Sequence, residues 1–261
     1  MRILIMTDLE GVAGVADFDD CATDGRYYQQ AKELLTEETN AACDGILDCC
    51  NAEIVVFDGH GCGGIIPWKI HPEARLLHGR PIPRYLELDS GYDAFFLLGH
   101  HAMNQTADGH LNHSYSHTSI VRVLLNREEI GEIGLNIYLA GWFNIPTVMV
   151  SGDQAACREA ARYVWNIEQA PVKHGINRTC AISLSPQKAR LLIREKAAGA
   201  IKKIKEIQPA RISGPCELVI QYISSADATW KAERCGWEIV DATTVRTRGE
   251  NYLEMWDNFF R

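Results

Sequence analysis

Residues 2–11 read RILIMTDLEG. The apolar run Ile3-Leu4-Ile5-Met6 has the character of a buried strand, yet it runs straight into Asp8, Glu10 and Gly11. Burying an unpaired carboxylate costs on the order of several kcal/mol. A positive partner is therefore expected at this strand end. If the extended conformation persists, side chains alternate with period two, and Asp8 and Glu10 point the same way. Two like charges that close repel each other unless a cation lies between them.

Working outward, strand-like runs alternate with helical ones. Residues 27–50 place Ala31, Leu34, Leu35, Ala42, Ile46 and Leu47 at helical spacing. Residues 53–57 and 94–98 read as further strands, and 119–125 as another, with NREE as a turn after it. Residues 131–143 read as a helix, PTVMVSG as a strand, and Asp153 as the cap of the next helix. Such alternation predicts an α/β fold: a mostly parallel sheet flanked by helices. Around residues 169–184 the pattern changes to short polar-apolar strands. Ser185-Pro186 then opens a helix running to about Gln208. CELVIQYI and EIVDATTVRT read as strands, and residues 252–260 as a closing helix. The expected organisation is a metal-binding α/β catalytic domain over 1–168 and a smaller C-terminal α+β portion over 169–261.

Ligands of open parallel sheets sit at the carboxyl ends of strands. The first strand ends in Asp8-Leu9-Glu10, the second in Asp58-Gly59-His60 and the third in Gly99-His100-His101. Five of the nine histidines, His100, His101, His110, His113 and His117, fall in or beside the loop GHHAMNQTADGHLNHSYSH. Imidazole mixed with carboxylate suits zinc and, less selectively, manganese or iron. Each residue alone has an ordinary reading as a cap, a solvated acid or a core histidine. Their convergence on one sheet edge is what argues for metal. Of Glu128, Glu129 and Glu132, the first two belong to a turn. Glu132 sits in the first turn of a helix that continues into an apolar face, and it is the acid chosen to join the set. Asp58 reads either as a group orienting His60 or as a turn acid.

Composition narrows the function. The net charge of −8 disfavours a nucleic-acid partner, which needs a basic face. MRILIMTDLEG lacks the pattern of a signal peptide, and no apolar run approaches the ~20 residues of a membrane span. No membrane partner is expected, and a cytoplasmic enzyme is the default. The nine cysteines are scattered without a C-x-x-C pair, which argues against both a disulfide framework and a zinc ribbon. Only Cys62, in DGHGCGG, reads as lying near the chemistry.

These motifs together resemble the zinc-dependent D-aminopeptidases first associated with bacterial dipeptide-transport operons. DLEGVAG is similar to the D-x-E-G opening of that family, VFDGHG to its D-x-H strand end and LGHHAM to its G-x-H-A segment. NHSYS is similar to the segment around its catalytic histidine, and GEIGLNIYLAG to its G-E-x-G-L-N helix. The motifs occur in the family's order over about residues 1–160, and the remainder matches more loosely. The resemblance implies a dinuclear zinc site with two Zn2+ per chain. Asp8 would bridge them, Glu10 and His60 would complete one position, and His101 and Glu132 the other. His113 would be the catalytic histidine. The implied substrates are short peptides carrying an N-terminal D-amino acid such as D-alanine, and the implied assembly is a homo-oligomer, a ring-like homodecamer. This chain departs from the pattern in its doubled histidine, His100-His101, and in a slightly longer loop with the extra His110. His101 is preferred because alanine follows it, and His113 because serine follows it. His110 is the competitor for the catalytic role. Two other readings stand beside this one: a dinuclear metallohydrolase of another amide or a phosphoester, and a metal-stabilised binding protein without turnover.

Overall fold

The computed structural model describes residues 1–259. Its elements in chain order are β1 (Arg2–Thr7), α1 (Tyr28–Leu47), β2 (Glu53–Asp58), β3 (Ala74–Leu77), β4 (Ala94–His100), β5 (Ile120–Leu125), β6 (Glu128–Glu129), α2 (Glu132–Trp142), β7 (Thr147–Asp153), α3 (Gln154–Tyr163), β8 (Glu168–Asn177), β9 (Cys180–Ser183), α4 (Pro186–Lys203), β10 (Cys216–Tyr222), α5 (Ser225–Cys235), β11 (Glu238–Ile239), β12 (Thr244–Gly249) and α6 (Tyr252–Phe259). Phe260, expected in the closing helix, lies outside the described residues.

The larger sheet has the order β3-β2-β1-β4-β7-β8-β9. Every neighbouring pair is parallel except β8 with β9. Strands β4 and β7 are buried along their whole length, as continuous apolar runs require when both faces are covered. From β1 the chain steps outward through α1 to β2, whereas from β4 it steps the other way through α2 to β7. Right-handed crossovers in opposite directions put α1 on one face and α2 with α3 on the other. The order therefore reverses between β1 and β4. That reversal is the switch point at which open α/β sheets bind their ligands.

The smaller sheet, β11-β12-β10-β5-β6, is antiparallel and packs against α5 and α6. Here the alternation misplaces one strand. β5 leaves the parallel sheet and pairs with β10. Its half-exposed pattern suits a sheet with one solvated face. Asn126 and Arg127, both with positive φ, turn it into β6. A cut at residue 168 would part β7 from β8 and β5 from β10, which are hydrogen-bonded neighbours.

Local chemistry sets the remaining boundaries. Asp153 caps α3 by accepting from the Ala156 amide at 2.7 Å, and Ser185 caps α4. α4 stops at Lys203, short of Gln208, as the chain approaches Pro209. EIVDATTVRT is not one strand but the hairpin β11–β12. Asp241 Oδ1 accepts from the Thr243 amide at 2.9 Å, closing a turn inside it. No described helix is long and apolar enough to cross a membrane.

Candidate metal centre

The switch point gathers side chains from five segments. Asp8 and Glu10 follow β1, His60 follows β2, His101 follows β4, His113 comes from the loop between the two sheets, and Glu132 opens α2. The loop after β1 can approach β4 only because Gly11 lacks a side chain. A Cβ there would sit 2.0 Å from the His100 carbonyl oxygen. The Gly11 amide instead donates to the Gly99 carbonyl at 2.7 Å.

His101 Nε2 lies 3.4 Å from Asp8 Oδ2 and 3.6 Å from Glu132 Oε1. His60 Nε2 lies 3.5 Å from Glu10 Oε1, and His113 Nε2 lies 3.9 Å from the same oxygen. The tautomers follow from the outer ring nitrogens. His101 Nδ1 donates to the Ala102 carbonyl at 2.9 Å, and His113 Nδ1 to the Leu111 carbonyl at 3.0 Å. In the neutral rings both Nε2 lone pairs therefore face carboxylates. Acceptor facing acceptor is unfavourable unless a cation or an extra proton lies between them.

Protonation in the ion-free cluster follows that logic. Burial alone would push the His101 pKa down, but Asp8 and then Glu132 hold it up at about 9. Burial likewise opposes a charge on His60, but Cys62 and Glu10 raise it to about 11. Burial, then Glu10, pushes the Asp8 carboxyl well above its ordinary range. Asp8 Oδ2 and Glu10 Oε2 are buried and have no hydrogen-bond partner among the described residues. Three of the side-chain sets whose ligand atoms all lie within 4.8 Å of one another are Asp8-Glu10-His101, His101-His113-Glu132 and Glu10-Cys21-His60. Oxygen and nitrogen donors and orphaned acceptors together fit divalent cations.

The structure separates the paired candidates. His101 belongs to two of those sets, while His100, whose Nδ1 is 3.7 Å from Asp8 Oδ2, is buried and belongs to none of the three. His113 stacks on His101, with ring centroids 3.8 Å apart, and meets the edge of Phe18. Burial, then the neighbouring His101, pushes its pKa down to about 3, so its imidazole is neutral. The His110 amide is tied to Asp153 Oδ2 at 2.8 Å, and its ring is in none of the three sets. Asp58 is a turn acid. It accepts from the Gly64 amide at 2.7 Å and the Ile65 amide at 3.3 Å, closing the loop that carries His60. Arg80 braces the same loop through the His60 carbonyl.

Sequence reading missed three buried titratable side chains around the centre and one thiol within it. Lys173 on β8 donates to the Glu10 carbonyl at 2.6 Å and the Val15 carbonyl at 2.9 Å. Glu38 on α1 accepts from the Ala13 amide at 2.9 Å, from within the same loop. Glu159 on α3 accepts from the Met103 amide at 2.7 Å, just after His101. Cys21, not only Cys62, lies at the site. Glu38 was discoverable as an acid on the apolar stripe Ala31-Leu35-Ala42, and Glu159 likewise beside Ala156 and Ala160. Lys173 was not, because an irregularity at Gly152/Asp153 breaks the alternation of β8 and turns it inward. Lys173→Met should leave two buried carbonyls unsatisfied and lower stability by about 1–3 kcal/mol. Thermal unfolding of the metal-stripped protein checks this, and an unchanged midpoint would contradict it.

The whole chain has relatives. It matches peptidase family M55, described as D-aminopeptidase, over residues 1–260. A D-aminopeptidase of Bacillus subtilis (strain 168) is 31% identical over 260 residues, covering 98% of this chain and 94% of the relative. A solved structure, the Zn-dependent D-aminopeptidase DppA from Bacillus subtilis, a self-compartmentalizing protease, is similar with a TM-score of 0.93 at 30% identity, over 100% of this chain and 96% of that one.

Proposed function

We propose, since this chain belongs to the M55 family of D-aminopeptidases, that it removes N-terminal D-amino acids such as D-alanine from short peptides at a site holding two zinc ions. The observation that supports this most is the meeting of Asp8, Glu10, His60, His101 and Glu132 at the sheet's switch point, with orphaned carboxylate oxygens facing imidazole nitrogens. Asp8 would be shared by both positions, Glu10 and His60 would serve one, and His101 and Glu132 the other. Zinc bound there supplies Lewis acidity and a nucleophile available near neutral pH.

The chain's own groups do the rest. His113 presents an unprotonated Nε2 beside the cluster while Leu111 holds its other nitrogen. It is placed to take up a proton there and return it to the leaving amine. Stacking on His101 and contact with Phe18 fix its ring plane. The Tyr115 amide donates to Glu132 Oε1 at 2.6 Å, orienting that carboxylate from the same loop.

Stereochemical preference has a simple physical origin. The substrate's amino group and scissile carbonyl both have to meet the cluster, which fixes two substituents of its Cα. Inverting that centre swaps side chain and hydrogen, so one hand meets a wall. A clash or lost contact of about 3–4 kcal/mol corresponds to several hundred-fold discrimination. The expected result is a kcat/KM for D-alanine amide and short D-alanyl peptides larger by that factor than for the L forms. Equal rates, or a preference for L, would defeat the stereochemical reading.

The active form is a homo-oligomer, which the resemblance makes a ring-like homodecamer. Trp68 and Trp165, 82% and 84% exposed, are large apolar surfaces for such contacts. Nine free cysteines suit the reducing cytoplasm as its location.

A further inference from the structure

The Glu10–His60 end of the cluster contains a donor that the mechanism above does not use. Cys21 ends the short turn Phe18–Cys21 and is buried. Its Sγ, a Glu10 oxygen and a His60 nitrogen all lie within 4.8 Å of one another. Tetrahedral zinc bonds of roughly 2.0–2.3 Å place two ligand atoms about 3.3–3.8 Å apart, so closing this set asks for a movement of at most about 1.5 Å.

Two further observations point the same way. Glu10 is 5% exposed, and its Oε2 has no hydrogen-bond partner among the described residues. Among the described residues the hydrogen bonding of the Cys21 thiol is limited to a long contact, 3.8 Å, to the Asp17 carbonyl. Its turn is also held in place. Asp20 Oδ2 accepts from the amides of Ala16 and Asp17, each at 3.1 Å. His60 is oriented to match: its Nδ1 meets Cys62 Sγ at 3.6 Å, and its Nε2 faces Glu10.

We propose that Cys21 is a metal ligand, its thiolate joining Asp8, Glu10 and His60 in a four-donor set at one of the two positions. The assignment rests on the two-zinc reading of the site. On binding, the S–H bond breaks, a sulfur–metal bond forms, and the proton leaves to solvent. The consequence is asymmetry. A position with four protein donors including sulfur is closed and selects zinc over magnesium or manganese. The Asp8-His101-Glu132 position keeps three protein donors, the number typical of zinc sites that retain an open position for chemistry.

The test is cobalt substitution of the full chain, because thiolate bound to Co(II) gives an intense charge-transfer band in the near ultraviolet. The wild-type protein should take up two cobalt ions per chain and show that band. Cys62→Ser, which removes the neighbouring thiol, should keep it. Cys21→Ser and Cys21→Ala should lose it and bind one of the two ions about 10-fold or more weakly. Two bound ions without the band, or a band that survives both Cys21 substitutions, would overturn the assignment while leaving the two-metal site intact. A wild-type chain that binds neither cobalt nor zinc would overturn both.

Discussion

Asp8→Ala is expected to empty both metal positions and to stop turnover. Asp8 is the acid proposed to be shared by the two positions. Its Oδ1 is fixed by the Leu9 amide at 2.9 Å, and its buried Oδ2 faces His101 Nε2 at 3.4 Å. Without it, each of the two proposed positions loses a donor. Lewis acid and nucleophile then go together, each worth several kcal/mol. The expected fall in kcat/KM is on the order of 10⁴-fold or more. Asp8→Asn separates charge from shape. It keeps an oxygen for the Leu9 amide but no negative charge, and it should fail almost as badly. Retained metal and activity in either variant would remove Asp8 from the centre of the account.

His113→Ala should give the opposite pattern: metal retained, turnover lost. General acid–base and electrostatic groups of this kind contribute roughly 10²–10⁴-fold in rate. The loss should fall on kcat, because His113 is assigned to proton movement at the leaving amine. In the ion-free chain, burial, and then His101, hold its pKa down at about 3, so the ring is neutral there. His113 also shares a set with His101 and Glu132. Loss of one metal in the variant would therefore make it a ligand. Survival of activity, together with a dead His110→Ala, would move the catalytic role to His110.

Much of this site was legible because parallel strands end where ligands bind. Asp8, His60 and His101 each stand just beyond an apolar run that the sequence marks clearly, and the fold brings β2, β1 and β4 side by side. Glu132 was legible as the acid opening an apolar helix. The less legible parts depend on tertiary contacts. β3 is a short, half-exposed edge strand without alternation. α5 fully buries only Ala228, so its apolar stripe is faint. The hairpin β11–β12 hides in an apparently continuous run because its turn is made by Asp241 rather than by glycine or proline. Cys21 lies on a turn far in sequence from His60, and no local spacing ties the two together. Lys173 is turned inward by a bulge in its pairing with β7.

Zinc stoichiometry decides whether the chain holds a two-metal centre built on Asp8. Wild type, Asp8→Ala and His113→Ala would each be stripped, reloaded with zinc, desalted and measured by elemental analysis beside protein concentration. Wild type should hold two zinc ions per chain, Asp8→Ala close to none and His113→Ala two. A wild-type value near zero after reloading, or an Asp8→Ala value equal to wild type, would contradict it.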